Sequence, residues 1–452
     1  MSTVSELVER ARAAQAVLEG YSQEQVDTLV RAIGKFVYDN AEDLAKRAVE
    51  ESGMGVYEDK VAKCYGKSKN IWNSLKGKKS VGVIEVNEET GIMKVGKPKG
   101  IVAAVTPVTN PVVTPMCNAM FAIKGRNAII IAPHPKTKKV NKYVVDCFRD
   151  ILVKLGAPAD AIQTIEEPSL DLTDELMASV DTVIATGGGS MVKAAYSSGK
   201  PALGVGPGNV QTILDRDIDL EVEIPKVIAG RIFDNGIICS GEQSIIAPRE
   251  QYDEIIDIFV KNGAFYVDNE EDIAKFREAI FPGGGPISRK VVGQSVQKVA
   301  ELAGVKVPEG TKVIILKADK HGKEEQLCRE KMCPCMVALK YDTFEDAVQI
   351  AKDNLLFEGA GHTTSLHSNN MDHIRYAGEV LPISRLIVNQ PSSTGAGGAL
   401  NNGFSPTTTL GCGSWGGNSI SENLNYTHLI NISQIGMPHT RKIPTDEEIW
   451  AE

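Results

Sequence analysis

No segment of this chain stays apolar for the ~18 residues that a membrane-crossing helix requires, so no membrane role is expected. The N-terminus, MSTVSELVERARAAQ, lacks the basic stretch and apolar core of a secretory leader, and none is expected. An excess of positive charge is missing as well. The formal net charge of -9 argues against broad nucleic-acid binding, which needs a basic face. Eight cysteines in an unsecreted chain of 452 residues read as reduced thiols, not as a disulfide framework, and point to the cytoplasm. Internal repeats and low-complexity arrays are also lacking. What is present is the composition of a soluble enzyme, 42% hydrophobic and 24% charged. At ~150 residues per domain, the length suits two large domains or three smaller ones.

The chain opens in helices. Thr3 with Glu6, then Ser22 with Gln25, are spaced as capping boxes. Val26, Leu29, Val30, Ile33 and Val37 recur at helical spacing, and AEDLAKRAVEE continues with a third helix. Residues 80–98, SVGVIEVNEETGIMKVGKP, alternate like paired strands around a polar turn, a ribbon serving either assembly or the surface alone. From residue 100, the short Val/Ile/Ala runs GIVAAVTP, NAIIIAPHP and DTVIATGGG alternate with helical segments, as in a parallel sheet wound by crossover helices. KVIILK, PCMVALKY, FEDAVQIAKDN, GHTTSLHS, DHIRYAGEVL and RLIVNQ repeat the pattern. The fold class is therefore α/β with two doubly wound domains, divided near residues 225–240, and Cys239 sits at the junction where clefts form. The stretch from Gln390 to Ser419, rich in Gly, Ser, Thr and Asn, is too polar for a core and lines a site or moves freely.

Cys239, in DNGIICSGEQS, reads either as a small buried residue or as a nucleophile. A nucleophilic thiolate needs a helix N-terminus, a cation or local hydrogen bonds, and a helix starting just after Cys239 would offer free N–H groups. TPVTNP, residues 106–111, follows a strand at the edge where α/β sheets bind ligands. There Asn110 either aims an amide N–H at a developing oxyanion or makes an ordinary Asn-Pro turn. IATGGGS places Gly187, Gly188 and Gly189 between a strand and a helix, as phosphate sites demand, but Val192 stands where a dinucleotide fingerprint has its third glycine. In APHPKTKK, Lys136, Lys138 and Lys139 pair with a nucleotide phosphate or solvate a helix start. Cys328, Cys333 and Cys335 match no common zinc spacing, and no metal is expected. His362 and His367 lie five apart, so in a strand at most one faces a cleft.

In their order along the chain, TPVTNP, APHP, ATGGGSMVKAAYSSGKPALGVGPGN, DNGIICSGEQS, REKMCPCM, GAGHT and TLGCGSWGGNS resemble the CoA-acylating aldehyde dehydrogenases, over essentially the whole length. EESGMGVYEDKVAK, EKMCP and NSISENL are most similar to the members acting on succinate semialdehyde; others use acetaldehyde, propanal, butanal or sulfoacetaldehyde. The resemblance implies a cofactor-binding domain (1–234, with the ribbon at 80–98), a catalytic domain (235–425) and a bridging, oligomerising segment (426–452). It also implies a homodimer or higher homo-oligomer. It assigns Cys239 as nucleophile, Asn110 with the Cys239 N–H as oxyanion hole, and Glu330 as contact to the nicotinamide ribose. Thr106, Pro107, His134, Pro135, Lys136, Gly187, Gly188, Gly189 and Gly206 fall to the cofactor. Thr109 and His362 are expected at the substrate, and because a buried carboxylate needs a cation or several donors, Arg385, Arg231, Ser392, Ser393 and Thr394 are open candidates for its far end.

One absence within the resemblance is instructive. Hydrolytic aldehyde dehydrogenases carry a water-activating glutamate where this chain has GVGPGN, residues 204–209. Without that base, a contribution of ~100-fold or more, a thioester on Cys239 is expected to resist water and wait for the CoA thiol. The expected reaction is the reversible oxidation of succinate semialdehyde to succinyl-CoA, with NADP favoured over NAD on Lys136, Lys138 and Lys139. The alternatives are the same chemistry on sulfoacetaldehyde, acetaldehyde or another short aldehyde, a non-acylating dehydrogenase, or a silent nucleotide-binding scaffold.

Overall fold

Thr3 Oγ1 accepts from Glu6 N at 3.2 Å while Glu6 returns a bond to Thr3 N at 2.9 Å, and this reciprocal cap starts α1 (Val4–Glu19). Ser22 and Gln25 do the same for α2 (Gln23–Asp39), whose Val26, Leu29, Val30, Ile33 and Val37 are all buried. α3 (Ala41–Ser52) and α4 (Tyr57–Leu75) complete a helical layer. The computed structural model describes residues 3–439 and 441–451. Among these, no helix is long and apolar enough to cross a membrane.

After the hairpin of β1 (Gly82–Asn87) and β2 (Ile92–Pro98), a wound sheet follows. It comprises β3 (Ile101–Val105), α5 (Val113–Lys124), β4 (Ala128–Ala132), α6 (Lys138–Lys154), β5 (Ile162–Thr164), α7 (Leu170–Ser179), β6 (Thr182–Thr186), α8 (Gly189–Ser197) and β7 (Ala202–Val205). The strand order is β5-β4-β3-β6-β7 and every pairing is parallel. Helices cover both faces, which is why these strands are runs of Ala, Val and Ile and not alternations. The order reverses between β3 and β6. The loops after those two strands, 106–112 and 187–188, therefore flank the crevice where such sheets bind ligands.

The second sheet contains β8 (Gln211–Leu214), α9 (Leu220–Ile232), β9 (Ser244–Pro248), α10 (Tyr252–Lys261), β10 (Ala264–Val267), α11 (Glu270–Ile280), α12 (Val296–Ala303), β11 (Val313–Lys317), β12 (Cys335–Tyr341), α13 (Phe344–Phe357), β13 (Gly361–His367), α14 (Met371–Val380) and β14 (Ile383–Val388). Its order is β10-β11-β12-β9-β8-β13-β14, again all parallel. Because β8 already belongs here, the chain changes sheets between Val205 and Gln211, ahead of the expected division at 225–240. Finally β15 (Ile430–Gly436) pairs antiparallel with β2, joining the last part of the chain to the hairpin as a three-stranded ribbon.

Candidate active site

Three consecutive residues at the end of α9, Asp234, Asn235 and Gly236, adopt positive φ values of 53°, 54° and 69°. After this sharp left-handed turn Ile237–Ser240 form a tight turn, and β9 begins at Ser244. No helix begins after Cys239, contrary to the sequence expectation: the buried, β-branched SIIAP segment joins the sheet instead. The thiol thus lacks a helix N-terminus. Cys239 keeps partial access to the cleft but lies deep in the protein, and burial pushes its thiol up to about 12; Glu330 and Cys412 add to this and Arg385 opposes it. At rest Cys239 is a thiol, and any nucleophilic reactivity depends on losing that proton.

Glu330 is itself pushed up to about 8, by burial and then by Glu358, and accepts a hydrogen bond from Gly208 N at 3.2 Å. Its carboxyl becomes an anion beside the thiol only above about pH 8. Glu330→Gln is therefore expected to leave alkylation of Cys239 by iodoacetamide unchanged at pH 7 and to speed it several-fold at pH 9. Superimposable pH profiles for the two proteins would contradict this.

The surroundings of Asn110 are organised by charge. Asn110 Oδ1 accepts from Lys63 Nζ at 2.9 Å, which fixes the amide so that Nδ2 is turned away from the lysine, 3.4 Å from Thr109 Oγ1. Lys63 and Lys60 both pair with the buried Asp234, Lys60 at 3.0 Å, and Asp234 Oδ1 also accepts from Val56 N at 2.8 Å. Lys60 reaches Thr109 O at 3.3 Å. One carboxylate thereby ties α4, the loop after β3 and the turn before Cys239 together. The two ammonium groups hold Asp234 below the usual carboxylate range against the opposing effect of its burial. At Gly55, a Cβ would stand 1.9 Å from Asp234 Oδ1, so only glycine lets the carboxylate approach.

GVGPGN runs directly against the main chain of Cys239. A Cβ at Gly208 would lie 1.8 Å from the Cys239 carbonyl oxygen, and one at Gly206 would meet Cys412 Sγ at 3.9 Å and Gly416 O at 3.8 Å. Asn209 spends its amide on Cys328 O and Glu358 O at 2.8 and 2.9 Å. Residues 204–209 contain neither carboxylate nor imidazole, so the segment against Cys239 holds no group that could deprotonate water.

The crevice at the reversal of the first sheet suits a dinucleotide. Cβ atoms at Gly188 and Gly189 would meet nothing within 4 Å, and at Gly187 only Met191 at 3.8 Å. The protein itself does not need glycine there, and the open backbone at the start of α8 leaves room for a pyrophosphate. Thr106 is buried at the end of β3 with its N–H on Ala132 O at 3.1 Å, and Pro107 lies half-buried beside it. His134 Nδ1 accepts from Lys136 N at 3.1 Å, capping a short turn through the exposed Pro135. Burial, then Lys136 and Arg289, hold His134 below its ordinary value. Lys138 is committed to Glu167, while Lys136 is exposed.

The expected substrate residues divide. Arg231 is wholly buried and donates to the carbonyls of Glu242, Gly236, Lys331 and Cys333, and Arg385 donates to Thr363 Oγ1, Asn423 Oδ1, His362 O and Gly411 O. Both guanidiniums are structural. His362 is buried with Nδ1 2.9 Å from Thr363 Oγ1 and burial holds it neutral; His367, also buried, bonds Glu223 at 2.6 Å. Both are enclosed because β13 is covered on each face. The hydroxyls of Ser392 and Ser393 are buried without hydrogen-bond partners, Ser393 O accepts from Ser240, and Thr394 is exposed. Among the described residues, no three His, Cys, Asp or Glu side chains gather as a metal site. Sequence reasoning passed over Lys60, Lys63, Lys67 and Asp234. The signal was the i, i+3, i+7 spacing of three lysines on one face of α4.

Comparison with known proteins finds relatives along the whole chain. The model of the aldehyde dehydrogenase family matches residues 1–274. The chain is 62% identical over 449 residues, 99% of each chain, to the succinate-semialdehyde dehydrogenase (acetylating) of Clostridium kluyveri. It is 42% identical over 449 residues, 98% of this chain and 93% of the other, to the sulfoacetaldehyde dehydrogenase of an Acholeplasma species. Among solved structures, an acetylating aldehyde dehydrogenase from Geobacillus thermoglucosidasius superposes with a TM-score of 0.93 at 34% identity, covering 98% of both chains.

Proposed function

The chain belongs to the aldehyde dehydrogenase family, in its CoA-acylating branch, and from that premise we propose that it interconverts succinate semialdehyde and CoA with succinyl-CoA through a thioester on Cys239. The observation that carries the reading is the carboxylate-free GVGPGN segment lying against the nucleophile's main chain. The Cys239 sulfur, once deprotonated, adds to the aldehyde carbon, and Asn110 Nδ2 with the Cys239 N–H holds the resulting oxyanion. When bound, an oxidised nicotinamide cofactor supplies the hydride acceptor that turns this adduct into an acyl thioester. Glu330, beside Gly208, orients the ribose of that cofactor, and the Gly187–Gly189 backbone receives its pyrophosphate. The CoA thiol then attacks the acyl carbon, Cys239 leaves as the thiolate, and acyl-CoA departs.

Substrate choice is tested by reduced-cofactor formation with succinate semialdehyde, sulfoacetaldehyde, butanal and acetaldehyde. The highest kcat/KM is expected for succinate semialdehyde, and a preference for acetaldehyde would overturn the assignment. NADP is the favoured cofactor, supported by Lys136, which is exposed and pairs with no carboxylate among the described residues, and by Arg289, which acts with it on His134. Lys136→Ala is expected to raise KM for NADP about tenfold and to leave KM for NAD within a factor of two. Equal effects would remove Lys136 from 2'-phosphate recognition. The ribbon of β1, β2 and β15 exposes Val83, Val86, Ile432 and Ile435 and is the proposed surface of self-assembly into a dimer or larger oligomer.

A further inference from the structure

We infer that Lys67 is the cation that receives the anionic far end of the aldehyde, an assignment that rests on the reading of the substrate as an aldehyde carrying a second acid group. A buried carboxylate or sulfonate is costly without a cation or several donors. Arg385 lowers the Cys239 thiol, and Cys239 in turn is among the groups that act on Lys67. Arg385 has four of its five N–H groups committed, to Thr363 Oγ1, Asn423 Oδ1, His362 O and Gly411 O, and the neighbouring Cys412 also draws on its charge.

Lys67 lies one turn beyond Lys63 on α4 and is differently placed. Its Nζ donates to two neutral carbonyls, Gly397 O at 2.8 Å and Thr407 O at 2.9 Å, which leaves its third N–H uncommitted, and no carboxylate pairs with it among the described residues. A Cβ at Gly397 would stand 2.3 Å from Nζ, so the glycine makes room for the ammonium head. The loop that holds it also carries the unpartnered, buried hydroxyls of Ser392 and Ser393, and Ser393 O bonds Ser240, the neighbour of Cys239. An uncompensated cation and two spare donors thus sit on the segments that pack beside the nucleophile. Burial draws Lys67 down to about 8, a cost that an incoming anion relieves. The titratable groups facing it are Cys117 from α5, Cys239, and Lys63 from its own helix.

The test compares kcat/KM for succinate semialdehyde, sulfoacetaldehyde and the uncharged butanal in the full-length wild type, Lys67→Met and Lys67→Arg. Lys67→Met is expected to lower kcat/KM about 100-fold or more for the preferred anionic aldehyde and less than about threefold for butanal, while Lys67→Arg keeps most of the preference. Whichever of the two anions loses more identifies the acid group that is read. In the wild type, the ratio of anionic to neutral kcat/KM is expected to fall as pH rises past about 8, where Lys67 discharges; the titrations of Cys239 and Glu330 cancel in that ratio. A preference unmoved by Lys67→Met, or an equal loss on both substrate classes, overturns the inference. Should that variant fail to fold, a pH-independent ratio in the wild type overturns it equally. A wild type that shows no preference for either anion over butanal contradicts the underlying substrate reading, before any variant is made.

Discussion

With Cys239 replaced by serine, turnover of every aldehyde is expected to fall by a factor of ~10⁴ or more. The loss is chemical as well as kinetic. A serine hydroxyl ionises far less readily than even this thiol at about 12, and an oxygen ester lacks the reactivity towards a CoA thiol that a thioester has. Neither Cys117 nor Cys412 is suited to replace it, since both are buried and raised above their ordinary values chiefly by that burial. Intact-mass analysis after mixing with aldehyde and cofactor in the absence of CoA checks the point. The wild type should gain one acyl group, and the serine variant none. An acylated serine variant, or one that keeps a tenth of the activity, would place the nucleophile elsewhere.

The second large effect is expected at Lys63, a residue that touches no reacting atom. Lys63→Met removes the ammonium holding Asn110 Oδ1 and one of the two partners of the buried Asp234. The freed amide can rotate, and the donor aimed at the oxyanion is lost for part of the time; removing such a donor costs ~100- to 1,000-fold in kcat. KM should change little, because the interaction strengthens only as the oxyanion forms. Stability should fall as well, by about 2–4 kcal/mol, the lower end applying because Lys60 stays paired. Lys63→Arg should restore part of kcat. Alkylation of Cys239 in Lys63→Met should match the wild type, which separates lost orientation from general collapse. A variant with normal kcat and a raised KM would refute the positioning role.

Part of the fold around this site is legible in the sequence. Runs such as IVAAV and AIIIA, followed by TPVTN and PHP, identify strands covered on both faces and place Asn110 and His134 at their carboxyl ends, as found. The capping pairs Thr3–Glu6 and Ser22–Gln25 were equally readable, because their partners lie three residues apart. Long-range relations were not. Asp234 meets Lys60 and Lys63 across 174 and 171 residues, and nothing local in DNGIIC announces a partner on α4. The short strands β8 and β9 were missed for a related reason. Runs of only four or five residues such as QTIL or SIIAP look alike in a strand, a turn or a helix start, and only pairing with β13 and β12 decides between them. That ambiguity produced the unrealised helix after Cys239 and put the change of sheet too late in the chain. Arg231 and Arg385 were attractive as anion binders for their charge alone, until the carbonyls around them accounted for it.

The central claim is that the thioester on Cys239 waits for CoA because nothing in GVGPGN activates water. The most direct test is a single-turnover reaction of the wild type with succinate semialdehyde and oxidised cofactor, with and without CoA, following both the acylated protein and the products. Without CoA, one equivalent of reduced cofactor should form, the protein should stay acylated, and free succinate should be nearly absent. Adding CoA should then release succinyl-CoA at once. Sustained turnover to succinate without CoA would show that another group activates water at Cys239 and would contradict the account.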